Sequence, residues 1–301
     1  GQVTAMTADG TVLWTWQTER AAINAIACAD VNRDGRAEVI FGGDAQRLGL
    51  LSADGRELWT VNPPQFRGIR SDVMTVLPAD INGDGLPEIV CGVRSWQYFA
   101  YSGEGKMIWR NVIYAHSATV GHADDFDGDG LPEIVGGNAY YTLNLIDNDG
   151  KRIFSAGRLG PEQTAISSAD TDGDGTPDIL AGVDDGTLLC FGTDRKTRWS
   201  ANLGDRVTRL VPRTVNGELR IFCAAESANV FALNGAGEVV WRAPLADGAT
   251  DLAVGEVSGR TVICSAGGNA GLYVLDAEGQ LLGRAATEGA ARQVVIIGGR
   301  A

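Results

Sequence analysis

Long apolar runs are missing from this 301-residue sequence. No stretch approaches the ~20 residues a helix needs to cross a bilayer, so membrane insertion is not expected. Histidine is nearly absent, with two copies, and no His–Cys cluster offers a soft transition-metal site. The cysteines are few and odd in number. Cys28, Cys91, Cys190, Cys223 and Cys264 sit inside apolar, strand-like runs and do not spell a disulfide framework. Buried free thiols are the expectation. Positive charge is also short: 25 Lys and Arg face 38 Asp and Glu, a net charge of −13, which argues against a nucleic-acid partner. Apolar stripes of helical period are scarce, and there is no nucleophile elbow, phosphate loop or Ser-His-Asp order.

What is abundant is glycine, 41 residues without a collagen period, alongside many short apolar runs. That composition predicts strands joined by tight turns. An internal repeat sharpens it. One motif returns as DVNRDGRAE (30–38), DINGDGLPE (80–88), DFDGDGLPE (125–133) and DTDGDGTPD (170–178). A second motif, a turn followed by an aromatic residue, ends at Trp14, Trp59, Trp109, Phe154, Trp199 and Trp241. From Asp30, Asp80, Asp125 and Asp170 to the next of these aromatics the distance is 29 residues each time. Each unit reads as strand A, acidic turn, strand B, short loop, strand C, hairpin and strand D, the sequence form of a β-propeller blade.

The expected fold is all-β, a single seven-bladed β-propeller over residues 1–301, with blades at about 20–61, 70–111, 116–156, 162–201, 206–243 and 248–285. The seventh would be closed by N- and C-terminal strands, residues 292–301 together with 1–17, which removes open sheet edges. No residues remain for that blade's strand B, so the expectation is a chain cut from a longer protein, or else a three-stranded blade.

The acidic turns have the form of a calcium loop without flanking helices. Positions one, three and five supply side-chain oxygens, position seven a carbonyl and position nine a carboxylate, while glycine at position six permits the sharp turn. The candidate ligands are Asp30, Asn32, Asp34, Arg36 and Glu38; Asp80, Asn82, Asp84, Leu86 and Glu88; Asp125, Asp127, Asp129, Leu131 and Glu133; and Asp170, Asp172, Asp174, Thr176 and Asp178. Carboxylates packed this closely repel one another unless a cation lies among them. A flexible, all-protein oxygen cage suits Ca2+ better than Mg2+. Up to four structural ions are expected, and they would bring the net charge from −13 to −5.

The D-x-[DN]-x-D-G-x-x-[DE] loop followed by an apolar strand and a glycine pair resembles the FG-GAP or VCBS repeat of integrin alpha-subunit propellers and many bacterial extracellular proteins. The resemblance is strong over blades one to four and rests on strand pattern alone beyond them. It implies structural calcium on the face opposite the usual ligand surface. The turn-plus-tryptophan pattern resembles the docking motif of quinoprotein propellers, which implies that Trp14, Trp59, Trp109, Trp199 and Trp241 pack between blades.

A ligand surface is expected at the other strand ends. The spacing from Trp59 to Asp80 is 21 residues where its counterparts are 16, and the excess falls in VNPPQFRGIRSD (61–72). Phe66, Arg67 and Arg70 from this insertion, Arg94, Trp96 and Tyr98 from the next loop, and Tyr114, His116, Tyr140 and Tyr141 are the candidate ligand-binding residues. Aromatic faces with arginines suit an acidic polysaccharide or a protein ligand. The leading expectation is a calcium-stabilised, non-catalytic binding module, extracellular or periplasmic, where millimolar calcium fills weak sites. The enzymatic alternative is a lyase acting on uronate-containing polymers, with His116 or Tyr114 as acid or base and Arg70 neutralising the carboxylate.

Overall fold

The computed structural model describes residues 1–6, 11–113, 116–157, 159–246, 248–257, 259–268, 271–287, 291 and 294. Among these there are 26 strands and no helix. The fold is the expected all-β, seven-bladed β-propeller, and it divides into two compact units, residues 1–157 and 158–301.

The first unit opens with a two-stranded sheet of β1 (Gln2–Met6) and β2 (Val12–Gln17). Three four-stranded antiparallel sheets follow, each in chain order. The first holds β3 (Ile23–Ala29), β4 (Glu38–Gly43), β5 (Arg47–Leu51) and β6 (Glu57–Val61). The next holds β7 (Val73–Ala79), β8 (Glu88–Val93), β9 (Gln97–Tyr101) and β10 (Met107–Val112). The third holds β11 (Ala118–Asp124), β12 (Glu133–Asn138), β13 (Leu143–Ile146) and β14 (Arg152–Ala156).

The second unit repeats the plan three times: β15 (Gln163–Ala169) to β18 (Thr197–Asn202), β19 (Val207–Val215) to β22 (Val239–Pro244), and β23 (Asp251–Val257) to β26 (Leu281–Ala285). The strand expected at 293–299 lies, apart from Val294, outside the described residues.

Within each unit neighbouring sheets meet chiefly through their first strands, β3 on β7 and β7 on β11, while the second strand is buried along its length in β8, β12 and β16 (Asp178–Val183). The glycines near the end of this strand have a steric reason. A Cβ on Gly42 would lie 2.3 Å from Val73 of the next sheet, and one on Gly136 would lie 2.5 Å from the Tyr98 ring. Tryptophan completes the stack. Trp14, Trp59 and Trp109 donate their indole N–H to Ala53, Gly103 and Asn148 in the hairpin of the following sheet at 2.7–2.8 Å. Trp199 and Trp241 do the same to Gly235 and Ala277. Each ring also covers a turn glycine with φ near +80°, such as Gly150 beneath Trp109, where a side chain would be both strained and in collision.

The last strand of every four-stranded sheet carries a β-bulge just before the position of these rings, which is Phe154 in the third four-stranded sheet of the first unit and Gly283 in the last sheet. Leu58, Ile108 and Ile153 occupy the bulge in the first unit and are exposed. Among the cysteines, Cys91, Cys190 and Cys223 are buried as expected, but Cys28 is exposed because strict alternation along β3 turns it outward.

Candidate cation loops and the aromatic–arginine surface

All four acidic loops fold onto their first aspartate. Asp125 accepts from the Gly128 and Gly130 N–H groups at 2.7 and 2.9 Å; Asp30, Asp80 and Asp170 accept from Gly35, Gly85 and Gly175 at 2.8–3.0 Å. The glycine at position six has φ between +81° and +88° in every loop. Burial alone would raise the Asp125 and Asp30 carboxyls, but the amide donors outweigh it and hold both below the usual carboxylate range. Position five caps position seven in each loop, with Arg36, Leu86, Leu131 and Thr176 donating to Asp34, Asp84, Asp129 and Asp174 at 2.8 Å.

Position nine differs from loop to loop. It begins the second strand and is buried in all four. One of its oxygens takes the backbone N–H of position two: Val31 to Glu38, Ile81 to Glu88, Phe126 to Glu133 and Thr171 to Asp178. The surroundings of the other oxygen divide the loops. In the first two loops the side-chain amides of Asn32 and Asn82 donate to Glu38 and Glu88 at 2.9 and 2.6 Å. In the third loop position three is Asp127, which has no proton to give, and Glu133 Oε1 is buried without a donor. Desolvation first, then the charges of Asp127, Asp129 and Asp125, push the Glu133 carboxyl up to about 7 against the pull of the Phe126 N–H. Glu88 is raised by the same causes.

In the fourth loop Arg198 lies 3.2 Å from Asp172 and 3.3 Å from Asp178, while the Thr171 hydroxyl donates to Asp178 as well. Carboxylate oxygens of Asp125, Asp127 and Glu133 lie within 4.8 Å of one another, as do those of Asp170, Asp172 and Asp174. Arg198 lies outside the acidic motif and Thr171 at its second position, which supplies no ligand, and sequence reasoning missed both; the signal available for Arg198 was a charged residue, KTRW, where the other blades have an apolar one.

At the other strand ends of the first unit, the inserted loop is pinned from below. The Ser71 hydroxyl donates to the Pro64 carbonyl and lies 2.6 Å from the Ser95 hydroxyl, and Gln97 donates to Ser95. Asp72, buried beside them, accepts from Arg70 at 2.7 Å and from the Gln46 N–H at 3.2 Å, and lies 3.3 Å from Arg94. This buried carboxylate was also missed by the sequence reading. It fixes two half-exposed guanidinium groups side by side.

Phe66 meets Trp96 edge-on at 6.4 Å, with the Arg67 guanidinium over the Phe66 ring at 5.4 Å. His116, exposed, contacts Tyr140 at 4.4 Å, and Tyr140 contacts Tyr141 at 4.1 Å. The predicted residues therefore gather as two groups on adjoining loops, with the Ser117 hydroxyl donating to the Arg94 carbonyl between them.

Tyr98 belongs to neither group. Its place on β9 turns the ring onto Gly136, fully buried, with the hydroxyl donating to the Val120 and Gly137 carbonyls. Burial pushes its phenol far up, so the expectation of a ligand contact there is corrected to a core role. Tyr114 lies outside the described residues.

Residues 30–91 and 125–181 match the model of the FG-GAP-like repeat. No curated protein sequence matches the chain. Among solved structures, BamB from Moraxella catarrhalis is similar over 99% of this chain and 83% of its own, at 18% identity and a TM-score of 0.69. BBS1N, solved in complex with ARL6DN, is similar over 91% of this chain and 84% of its own, at 12% identity and a TM-score of 0.70. Sqt1 of Saccharomyces cerevisiae is similar over 92% of this chain and 78% of its own, at 10% identity and a TM-score of 0.73. Likeness at this level of identity speaks for the fold alone.

Proposed function

We propose that this propeller with FG-GAP-like repeats is a binding module whose acidic turns are stiffened by calcium and whose first-unit loops present an aromatic–arginine surface to a polysaccharide or protein ligand. The observation that carries the calcium reading is Glu133 Oε1, a buried carboxylate oxygen with no donor, beside Asp125 and Asp127. A lone pair in that setting costs about 1–3 kcal/mol unless something positive meets it. A hard, oxygen-seeking divalent cation meets it best, with Asp125, Asp127, Asp129, Glu133 and the Leu131 carbonyl as the donor set. Sites of this extracellular type fill at millimolar calcium, which favours a location outside the cytoplasm.

The ligand reading rests on Arg70 and Arg94 held by buried Asp72 next to Phe66 and Trp96. Pre-fixed guanidinium groups lose little freedom on pairing with a carboxylate or sulfate, and the neighbouring rings stack on sugar or side-chain faces. Calorimetric titration with a uronate-rich polysaccharide tests it. Binding that weakens by tenfold or more in R94A and W96A supports the surface, and equal affinity in both variants removes it. New absorbance from an unsaturated product during that titration would instead mark the chain as a lyase.

A further inference from the structure

We infer that the fourth acidic loop is closed to divalent cations by the guanidinium of Arg198, so that the chain takes up three ions and not four. The inference rests on the reading of the other loops as calcium sites and departs from what the motif alone implies. By residue type the fourth loop is as rich as the third, with Asp170, Asp172, Asp174 and Asp178. Its ninth position nonetheless already faces a fixed positive charge. Asp178 Oδ2 takes the N–H and hydroxyl of Thr171, and Oδ1 faces Arg198 Nε at 3.3 Å.

The same Nε lies 3.2 Å from Asp172 Oδ2, and Nη1 is held by Asp194 of the adjoining hairpin at 3.1 Å. A calcium ion would need the Asp172 and Asp178 oxygens at about 2.3–2.6 Å. Those oxygens already face a cation that cannot lose its proton. The oxygens that do converge in this loop come from Asp170, Asp172 and Asp174 and leave Asp178 out, whereas in the third loop the ninth position is part of the cluster.

The bulge on β18 explains how Arg198 reaches the site. Thr197 pairs with Phe191 and Trp199 with Cys190, so Arg198 is the extra residue, free of the ladder and re-aimed. Its counterparts Leu58, Ile108 and Ile153 bring no charge to their loops. One substitution in a repeated bulge position thus supplies an internal counter-ion, where the third loop leaves a carboxylate oxygen open to an external one and the first two meet theirs with a neutral amide.

Counting bound ions tests this directly, by native mass spectrometry and calorimetric titration of the chelator-stripped full chain with calcium chloride. Three ions are expected in the wild type, four in R198M, which keeps the aliphatic stem, and still three in D170N. E133Q should fall to two. A wild-type count of four, a count unchanged in R198M, or a count that falls in D170N overturns the inference while leaving the calcium reading intact. No ion bound in any variant removes both. If R198M does not fold, the D170N and E133Q counts decide alone.

Discussion

In the loop of residues 125–133 the buried ninth position keeps a carboxylate oxygen without a donor, whereas in the loop of 170–178 the same position accepts from Thr171 and faces Arg198. Both loops fold identically onto their first aspartate, through N–H groups of Gly128 and Gly130 or of Gly173 and Gly175. The difference teaches that turn geometry and charge balance are specified separately. The motif fixes the first through glycine and aspartate. The second depends on one side chain at position two and one on a distant bulge.

Three experiments would break or sharpen this contrast. The largest effect belongs to chelation. A site held at a hundredfold its dissociation constant contributes about 2.7 kcal/mol, so EGTA should lower the wild-type melting temperature by several degrees, and E133Q should lose one site's share of that response. D170N should respond to EGTA as the wild type does. Scanning calorimetry with and without chelator reads both, and a melting temperature indifferent to EGTA would erase the contrast.

Next comes pH. The ion-free folded state holds the Glu133 carboxyl at about 7, above its ordinary 4.5, so it takes up a proton across that interval which the unfolded chain does not. Stability in EGTA should therefore rise as pH falls from about 7 towards 4.5, and E133Q should flatten the curve. Asp125, held below its ordinary value, gives up its contribution only at lower pH. A wild-type curve that climbs with pH across this window would contradict the third-loop geometry.

The smallest effect is expected from T171V, which removes the hydroxyl donated to Asp178 and should cost about 1 kcal/mol in denaturant unfolding. Because Arg198 remains, the ion count should not change. A new ion in T171V would mean that the hydroxyl, and not the guanidinium, keeps the fourth loop closed.

Much of the architecture was legible because the repeat is written in residues with strict backbone demands. Aspartate and glycine at fixed offsets, and an aromatic 29 residues on, define strand ends and stacking partners without knowledge of the rest. The side-chain assignments that went astray lie where direction, not identity, decides. Tyr98 lies two residues past Trp96, yet it is already on β9 and faces the glycines of the next sheet, so it is core. Cys28 lies in an apolar run but on the outward parity of β3. Asp72 gave no periodic signal, since its role as the anchor for Arg70 and Arg94 arises only when the insertion folds back over Ser95 and Gln97. The aim of a bulged arginine cannot be read from spacing, because the bulge itself breaks the alternation that spacing relies on.

The most direct test of the account is an anomalous diffraction experiment on crystals grown in millimolar calcium, with data collected at a wavelength where calcium scatters measurably. The account predicts anomalous peaks among the oxygens of residues 30–38, 80–88 and 125–133, with Arg198 remaining between Asp172 and Asp178. A peak in the 170–178 loop, or no peak beside Glu133, would contradict it.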